Sequence, residues 1–279
     1  MSTKFNLAVC QLRVTDDKAA NITRAEKMVR EAAAMGARVV VLPEMFNCPY
    51  VTELFPSYAE TYPDGETMRA LSRVAAGCGV VLVGGSIPER DGDLVYNTSF
   101  VFGPGGQLLG RHRKVHLFDV DLPGLRVRES STLGPGAGLT VVDGGFCKLG
   151  VCICFDVRFP ELARLMAMAG AQVIIVPAAF NMVTGPVHWE LSMRMRAVDN
   201  QVYVAAASPA RDENARYVIY GHSMLVDPWG GVICEAGTDE NIILAAVDPA
   251  KIEEVRARLP LLAQMRNDLY ELKWKNQGC

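Results

Sequence analysis

The chain of 279 residues is half hydrophobic, which is enough to bury a substantial core in one large domain or two small ones. Its formal net charge is -3 with acidic and basic residues interspersed, so it lacks the basic field of a nucleic-acid-binding protein and the Lys/Arg block of a membrane-surface protein. The eight cysteines are scattered along the chain, which indicates reduced thiols rather than a disulfide framework. Cys152 and Cys154 form only a C-x-C, without a second pair at zinc spacing, so we expect no metal site.

The N-terminal part is predicted to contain a strand, a helix and a second strand. Residues 4–10 show a strand pattern, and no hydrophobic segment long enough for export or membrane spanning precedes them. We therefore expect a soluble cytoplasmic protein. Residues 17–35 place apolar side chains at helical spacing, and the apolar run at 37–42 indicates a buried strand that ends in Pro43-Glu44.

The next predicted elements lead to a hairpin and a long loop. They are a helix and three strands, at residues 66–76, 80–84, 94–102 and 108–114. Gly103-Pro-Gly-Gly separates the last two strands and predicts an antiparallel hairpin. Residues 117–138 are rich in Gly, Pro and Ser and read as a loop, and loops of this length in compact domains are usually functional.

The second half repeats the order of strands and helices. Its predicted elements are a strand pair (139–142 and 146–153), a helix (158–169), a strand (173–177), a helix (187–198) and a strand (202–207). Three further strands, at 222–226, 232–235 and 242–247, are predicted to form a meander. Pro249 is expected at the first position of a final helix.

These elements predict one α/β domain over residues 1–279. Two similar halves suggest two mixed sheets packed face to face with helices outside, but an open doubly wound sheet would give the same order of elements, so the pattern leaves both open. The tail at 260–279 is predicted to pack at a subunit interface, because it contains apolar side chains that should not remain in water: Leu261, Leu262, Tyr270 and Trp274.

Cys154 lies where a buried strand gives way to a helix. Residues 149–153 are apolar, and residues 159–168 carry apolar side chains at helical spacing. A cysteine at such a junction can present its sulfur beside the N–H groups that open a helix, which favour a thiolate and bind an oxyanion. Because free cysteine is also among the most buried residue types, this stretch alone favours a structural thiol over a nucleophile.

Two charged residues also follow predicted strands. Glu44 follows the strand at 37–42, and Lys114 closes the hairpin. If these strands and the one before Cys154 are adjacent and parallel, a carboxylate, an ammonium and a thiol meet at one edge, where they could perform covalent acyl transfer. Taken singly, Glu44 and Lys114 are more simply interpreted as solvated residues, because charged side chains are mostly exposed.

A cysteine–histidine pair is the alternative catalytic site. His116 lies two residues beyond Lys114, and His188 and His222 are also available for a papain-like mechanism. His188 is more typical of a helix start and His222 of a strand start, which weakens this alternative. The chain contains no G-x-S-x-G, G-x-G-x-x-G or G-x-x-x-x-G-K-[ST] sequence. It therefore lacks the signatures of serine hydrolases, dinucleotide-binding proteins and P-loop proteins.

Three segments resemble the carbon–nitrogen hydrolase, or nitrilase, superfamily in order and spacing. They are Val41-Leu-Pro-Glu44, Gly110-Arg-His-Arg-Lys114-Val-His-Leu and Gly150-Val-Cys-Ile-Cys154-Phe-Asp-Val-Arg158. The resemblance covers nearly the whole chain. It implies an αββα sandwich, usually a homodimer, with Glu44, Lys114 and Cys154 as a catalytic triad and without a metal or organic cofactor. It also implies a second catalytic carboxylate, Glu129.

Within the superfamily the chain is most similar to the Nit2-type ω-amidases. The segments that carry this likeness are residues 46–50, 184–189, 197–204 and 208–212. The sister group of Nit1-type deaminated glutathione amidases shares the triad but matches less well over 197–212; that group and other amide or carbamoyl hydrolases remain alternatives. True nitrilases typically carry Trp-Glu after the cysteine, where this chain has Phe155-Asp156, and Phe155 also replaces the tyrosine usual in amidases.

The resemblance implies a role for each residue. Glu44 takes the proton of Cys154, whose thiolate attacks a terminal carboxamide, and Lys114 and the Phe155 N–H hold the oxyanion. Glu129 orients Lys114 or assists the proton transfers. Ammonia and then the acid leave through a thioester intermediate.

An ω-amidase must also hold the acid end of a substrate such as α-ketoglutaramate or α-ketosuccinamate. Arg158 lies one helical turn beyond Cys154, and a guanidinium can bind a carboxylate through two hydrogen bonds. The structural alternative for Arg158 is an ion pair with Asp156 or Glu161. The resemblance supports Arg158 and adds further substrate-binding residues: Thr184, Tyr50, Phe180 and Asn181.

Overall fold

Two mixed β-sheets lie at the centre of the protein, in a computed structural model that describes residues 4–275. The strands in this range are β1 (Phe5–Gln11), β2 (Ala37–Val41), β3 (Val81–Val83), β4 (Ile87–Asp91), β5 (Leu94–Phe102), β6 (Leu108–Arg113), β7 (Asp119–Leu122), β8 (Leu125–Arg128), β9 (Val141–Asp143), β10 (Lys148–Val151), β11 (Val173–Pro177), β12 (Tyr203–Ala207), β13 (Met224–Val226), β14 (Val232–Glu235) and β15 (Asn241–Val247). The first sheet has the order β15-β1-β2-β3-β5-β4, with β6 also paired to β5, and the second has the order β14-β13-β12-β11-β10-β9.

Successive side chains of a buried strand point into two different apolar environments. In β1, Leu7 and Val9 belong to the core between the sheets, whereas Ala8 and Cys10 face the helices outside the first sheet. Strands with both faces covered are expected to be apolar on both, which explains the continuous apolar runs in the sequence. Of the two architectures that the pattern leaves open, the face-to-face sandwich is the one observed.

Helices cover the outer faces of both sheets. The α-helices of the described range are α1 (Lys18–Ala34), α2 (Phe55–Tyr58), α3 (Glu66–Cys78), α4 (Pro160–Met168), α5 (Gly185–Asn200) and α6 (Pro249–Arg258), of which α6 contributes Ile252 to the core between the sheets. Buried side chains of α1 and α3 pack on the first sheet, and those of α4 and α5 pack on the second. The predicted αββα sandwich is therefore confirmed. In the described part of the chain, no helix combines the length and the apolar character needed to cross a membrane.

Local sequence signals set the helix ends. Asp17 caps α1 by accepting a hydrogen bond from the N–H of Ala20 at 3.0 Å. Pro249 occupies the first turn of α6, behind the side-chain cap supplied by Asp248. Both arrangements follow the usual preferences at a helix start, and the predicted position of Pro249 is confirmed.

Three elements differ from the sequence prediction. Strand β15 leaves the predicted meander and pairs antiparallel with β1 in the other sheet, because its residues Ile243 and Val247 belong to the core between the sheets. The pattern does not predict β4, since Ile87-Pro-Glu-Arg-Asp91 has little apolar character. The predicted loop at 117–138 contains the hairpin β7–β8 and a 3-10 turn, Glu129–Ser131.

The C-terminal segment lies partly against the chain itself. Residues 260–275 contain turns and no regular helix or strand, and residues 276–279 of the predicted tail lie outside the described range. Trp274 is half-buried and packs against the apolar cluster beneath α4 and α5, so its ring is covered by its own chain. Leu269 and Tyr270 are 69% and 56% exposed, and their burial at a subunit interface remains a prediction.

Candidate active site

The ends of three strands bring Glu44, Lys114 and Cys154 together. Glu44 lies beyond β2 and Lys114 directly follows β6; these strands run parallel in the first sheet but are separated by β3 and β5. Cys154 follows β10 in the second sheet. The condition under which the sequence pattern would bring them together, three adjacent strands, is therefore not met. The residues meet because the two sheets face each other, and each of the three side chains acts on the others' pKa.

The ammonium of Lys114 is buried between two carboxylates. Its Nζ donates to Glu44 Oε1 at 3.0 Å and to Glu129 Oε1 at 2.8 Å, and all three side chains are 0% exposed. Burial disfavours the charged ammonium, but Glu129 and Glu44 outweigh this effect and raise the pKa of Lys114 well above its usual range. The interpretation of Lys114 and Glu44 as solvated residues is therefore wrong, and Lys114 acts as a fixed positive charge.

Glu129 comes from the predicted loop and is held by three donors. Its Oε1 accepts from Lys114 and from the Tyr50 hydroxyl at 2.7 Å, and its Oε2 accepts from the Phe118 N–H at 2.6 Å. An ionised carboxylate only accepts hydrogen bonds, so three donors suit the charged form of Glu129. These bonds fix its position relative to Lys114.

Glu44 has one engaged oxygen and one free oxygen. Oε1 accepts from Lys114 and from Asn97 Nδ2 at 2.8 Å, whereas Oε2 is buried without a hydrogen-bond partner among the described residues. Burial raises the pKa of Glu44, while Lys114 opposes this shift and Glu129 adds to it. The Cys154 side chain also lowers the pKa of this carboxyl. A buried carboxylate with a free oxygen beside a thiol can act as its base.

The backbone at Cys154 has a left-handed conformation. Its φ of 48° lies in a region that residues other than glycine rarely adopt and that often marks functional sites. The residue begins a 3-10 turn, Cys154–Arg158, rather than a regular α-helix. Burial and then the Glu44 charge raise the pKa of Cys154, while Lys114 and a hydrogen bond from the Ala179 N–H oppose the shift. The resting thiol is therefore protonated, and a base must remove its proton.

The three histidines of the alternative site are engaged elsewhere. Their partners are Asp156 for His116 at 2.7 Å, Arg158 for His188 at 3.1 Å and Glu235 for His222 at 2.7 Å. The charged groups that act most strongly on the Cys154 thiol are Glu44 and Lys114. The geometry thus favours a carboxylate over a histidine as the partner of this cysteine.

Arg158 is half-buried, and no carboxylate in the described part of the chain pairs with it. Its Nη1 donates to His188 Nδ1 at 3.1 Å, and its guanidinium lies 4.6 Å from the centre of the Phe180 ring. Among these residues the alternative ion pairs with Asp156 and Glu161 do not form. Burial lowers the pKa of Arg158. Its guanidinium also lies 6.0 Å from the centre of the ring of Phe155, the residue after Cys154. Its remaining donors can bind an anion.

The other predicted substrate-binding residues come from two segments. Phe180, Asn181 and Thr184 follow β11, which pairs with β10 beside Cys154. The amide oxygen of Asn181 accepts from the N–H groups of Val183 and Thr184 at 2.9 Å each, which shapes the turn into α5. Tyr50 lies on the other segment. Because its hydroxyl is already bonded to Glu129, Tyr50 can offer a substrate its ring rather than a free donor.

Two residues that sequence reasoning missed also contribute to this site. Asn97 in β5 donates to Glu44, and the polar run Asn97-Thr98-Ser99 within that strand was the available signal. Tyr217 stacks on Tyr50 with ring centres 4.6 Å apart, and its hydroxyl donates to the Ala179 carbonyl at 3.0 Å. Tyr217 lies in a stretch without periodicity or motif, so the sequence offered no comparable signal for it.

A cavity of about 530 Å³ opens beside the stacked tyrosines. Its lining includes Tyr50, Tyr217 and three arginines, Arg126, Arg128 and Arg216. Cys154 does not line it; Tyr50 connects the two regions, because it lines the cavity and hydrogen-bonds to Glu129. The positive lining favours the approach of anionic compounds.

The sequence matches one family model and a group of similar proteins. The model, described as carbon-nitrogen hydrolase, matches residues 6–257. The chain is 54% identical to "Omega-amidase NIT2" of Danio rerio over 99% of this chain and 100% of the relative. It is 51% identical to "Omega-amidase NIT2" of Homo sapiens over 98% of this chain and 99% of the relative.

Solved structures show the same architecture. Saccharomyces cerevisiae Nit3, described as a member of branch 10 of the nitrilase superfamily, superposes with a TM-score of 0.89 at 46% identity, covering 95% of this chain and 98% of that one. The NitFhit protein of C. elegans superposes with a TM-score of 0.88 at 32% identity, covering 98% of this chain and 68% of that one.

Proposed function

This chain belongs to the carbon–nitrogen hydrolase family, and from that premise we propose that it is an ω-amidase. It hydrolyses the terminal carboxamide of short dicarboxylate monoamides, such as α-ketoglutaramate and α-ketosuccinamate, to the acid and ammonia. The observation that carries this proposal is 51–54% identity, over nearly the whole chain, to relatives named as ω-amidases. The buried group of Glu44, Lys114, Glu129 and Cys154 supports it chemically.

The first half of the reaction forms a thioester. Glu44 accepts the Cys154 proton while the sulfur bonds to the carboxamide carbon, and the resulting oxyanion is held by Lys114 and the Phe155 N–H. Collapse of this intermediate breaks the carbon–nitrogen bond. The proton on Glu44 passes to the nitrogen, which leaves as ammonia. The raised pKa of Glu44 suits a group that must both accept and return a proton.

The second half releases the acid. Water bonds to the thioester carbon as Glu44 takes its proton, the carbon–sulfur bond breaks, and the proton returns to the Cys154 sulfur. Glu129 keeps Lys114 aimed at the oxyanion in both halves, because its own position is fixed by Tyr50 and the Phe118 N–H. The cycle needs no metal and no organic cofactor.

Arg158 binds the acid end of the substrate. The donors that His188 does not engage and the 6.0 Å distance from its guanidinium to the ring of Phe155, next to Cys154, support this role. Thr184, Phe180 and Asn181 flank the bound chain, and the ring of Tyr50 covers it from the other side.

Ammonia release across a panel of amides tests the proposed function. Short ω-amides with a free acid are expected to turn over faster than peptide-like amides, carbamoyl amino acids and nitriles. The readout is kcat/KM for each compound at one pH and salt concentration. A preference for the peptide-like amide would instead assign a deaminated glutathione amidase, and turnover of none of them would contradict hydrolysis of these classes.

Substituting Arg158 tests how the acid end is held. Arg158→Met is expected to raise KM for α-ketoglutaramate by about 10- to 100-fold, since a hydrogen bond to a charged group contributes about 1.5–3 kcal/mol. The kcat value and the kinetics of a neutral amide should change little. Arg164→Met is the matched control, because Arg164 is also a half-buried arginine whose pKa is lowered by burial. An unchanged preference for acidic over neutral amides in Arg158→Met would contradict this role.

We also propose that the protein is a cytoplasmic homodimer. On α5, Val187, Leu191 and Met195 are 61%, 60% and 41% exposed at intervals of four residues, which supports an apolar contact face. The cysteines of the described range are all free, as suits a reducing compartment. Light scattering in solution, compared with 30.4 kDa for one chain, measures the assembly.

A further inference from the structure

The carboxylate of Asp156 is buried and accepts an unusual number of hydrogen bonds. It is 1% exposed. Oδ1 accepts from the N–H of His116 at 2.8 Å and from its ring Nδ1 at 2.7 Å. Oδ2 accepts from His112 Nε2 at 3.0 Å, from the Ile153 N–H at 3.0 Å and from the Val115 N–H at 3.5 Å. Such a set of donors is expected only for an ionised carboxylate.

The backbone donors lie next to the two central residues of the proposed catalytic group. Ile153 directly precedes Cys154, and Val115 directly follows Lys114. Cys154 and Lys114 belong to different sheets, so no backbone ladder sets their separation. Asp156 bonds to both segments at once and therefore joins the two sheets at this point.

The two histidine rings anchor the carboxylate further. His112 lies in β6, and its Nδ1 is 3.0 Å from the Thr140 hydroxyl, while the His116 ring stacks on Phe159 with centres 3.6 Å apart. Burial disfavours the ionised carboxylate, but hydrogen bonds from His112 and His116 outweigh it and hold the pKa of Asp156 below its usual range. The anchor thus stays charged at neutral pH.

We propose that Asp156 is a positioning residue that sets the separation of the Cys154 sulfur and the Lys114 ammonium, acting through Ile153, Val115 and the two histidines. This inference rests on the proposed function, in which these two groups act on one substrate carbonyl. Loss of the carboxylate leaves the 3-10 turn at Cys154 and the segment after β6 free to shift apart. A misplacement of about 1 Å in a reacting group can cost about 100-fold in rate.

The variant Asp156→Asn tests this proposal with two readouts. It keeps the shape of the side chain but replaces one accepting oxygen by a donor that faces N–H groups. We expect kcat to fall about 100-fold with KM little changed, as for misplaced reacting groups. The rate at which iodoacetamide alkylates Cys154, measured on its peptide by mass spectrometry, should fall in parallel. Alkylation does not require an amide substrate, so it reports on Asp156 even if the proposed ω-amidase function fails.

Glu89→Gln is the matched control. Glu89 is likewise 1% exposed, and it holds the same strand, β6, by accepting from Arg111 and Arg113 at 2.7 Å each. In the described structure it makes no bond to the turn at Cys154. We expect Glu89→Gln to lower the unfolding midpoint while leaving Cys154 alkylation unchanged. If Asp156→Asn likewise lowers the unfolding midpoint while leaving Cys154 alkylation unchanged, Asp156 is a folding residue and the proposal is overturned.

A milder variant decides the case in which Asp156→Asn does not fold. His116→Phe keeps an aromatic ring to stack on Phe159 and removes the ring donor to Asp156. Partial and parallel losses in kcat and in Cys154 alkylation would support the positioning role. Wild-type rates in this variant would overturn it, and complete loss of turnover with normal alkylation would assign a direct catalytic role to the histidine instead.

Discussion

Ammonia release from ω-amides is expected to fall by about 10⁶-fold in Cys154→Ala, the order of loss seen when a hydrolase nucleophile is removed. The reason is that Glu44, Lys114 and the Ala179 N–H all act on this one sulfur, in a residue whose backbone is held in a left-handed conformation. The measurement is ammonia produced per active subunit, with a substrate that the wild-type enzyme turns over well.

Cys152→Ala is the control for this experiment. Cys152 lies two residues away and is also buried, but the charges that act on it are Asp156 and Arg196 rather than Glu44 and Lys114. We expect Cys152→Ala to retain turnover. Activity retained in Cys154→Ala and lost in Cys152→Ala would show that the nucleophile has been assigned to the wrong cysteine.

The sequence predicted which residues form the reacting group better than it predicted how the strands of the two sheets bring them together. Glu44 and Cys154 each follow an apolar run and Lys114 ends a predicted strand, which suggested that the three could meet, but the triad was assigned by resemblance. Periodicity indicates which faces of a strand are buried, but it does not indicate which sheet the strand joins. It therefore could not predict the two-sheet arrangement or the position of β15.

Residues that support the reacting groups were harder to predict. Glu129 was placed by resemblance, because a carboxylate in a Gly-rich loop has no periodicity of its own. Tyr50, Asn97 and Tyr217 act through single hydrogen bonds and one ring contact between segments distant in the chain. Such contacts depend on the folded arrangement: Tyr50 was assigned by resemblance, Asn97 is indicated only by the polar residues within its strand, and Tyr217 has no signal in a single sequence.

Substitution of Lys114 is expected to affect stability and activity together. In Lys114→Met, Glu44 and Glu129 would share a buried site without a cation, and removing one partner of a buried ion pair typically costs about 3–5 kcal/mol. Turnover should fall by about 10²- to 10³-fold or more, because the oxyanion loses a charged donor. Urea unfolding and ammonia release, measured on the same preparation, check both effects.

The pH dependence of this destabilisation has a definite sign. Burial already raises the pKa of Glu44, and loss of the ammonium removes the main effect that opposes that shift. A carboxyl group with a raised folded-state pKa contributes stability below its pKa that is lost as the pH rises through it. Lys114→Met should therefore be closer to wild-type stability at about pH 5 than at about pH 8.

A double variant separates the structural role of Lys114 from its chemical role. Lys114→Met with Glu129→Gln removes the cation and one of its two carboxylates, so the remaining buried charge is lower and much of the stability should return. Activity should not return, because the ammonium that holds the oxyanion is still absent. Lys27→Met serves as a surface comparison, since Lys27 pairs with Glu31 at 72% side-chain exposure and exposed pairs contribute little. Recovery of turnover together with stability in the double variant would mean that Lys114 only neutralises the site, and that the oxyanion is held by backbone donors alone.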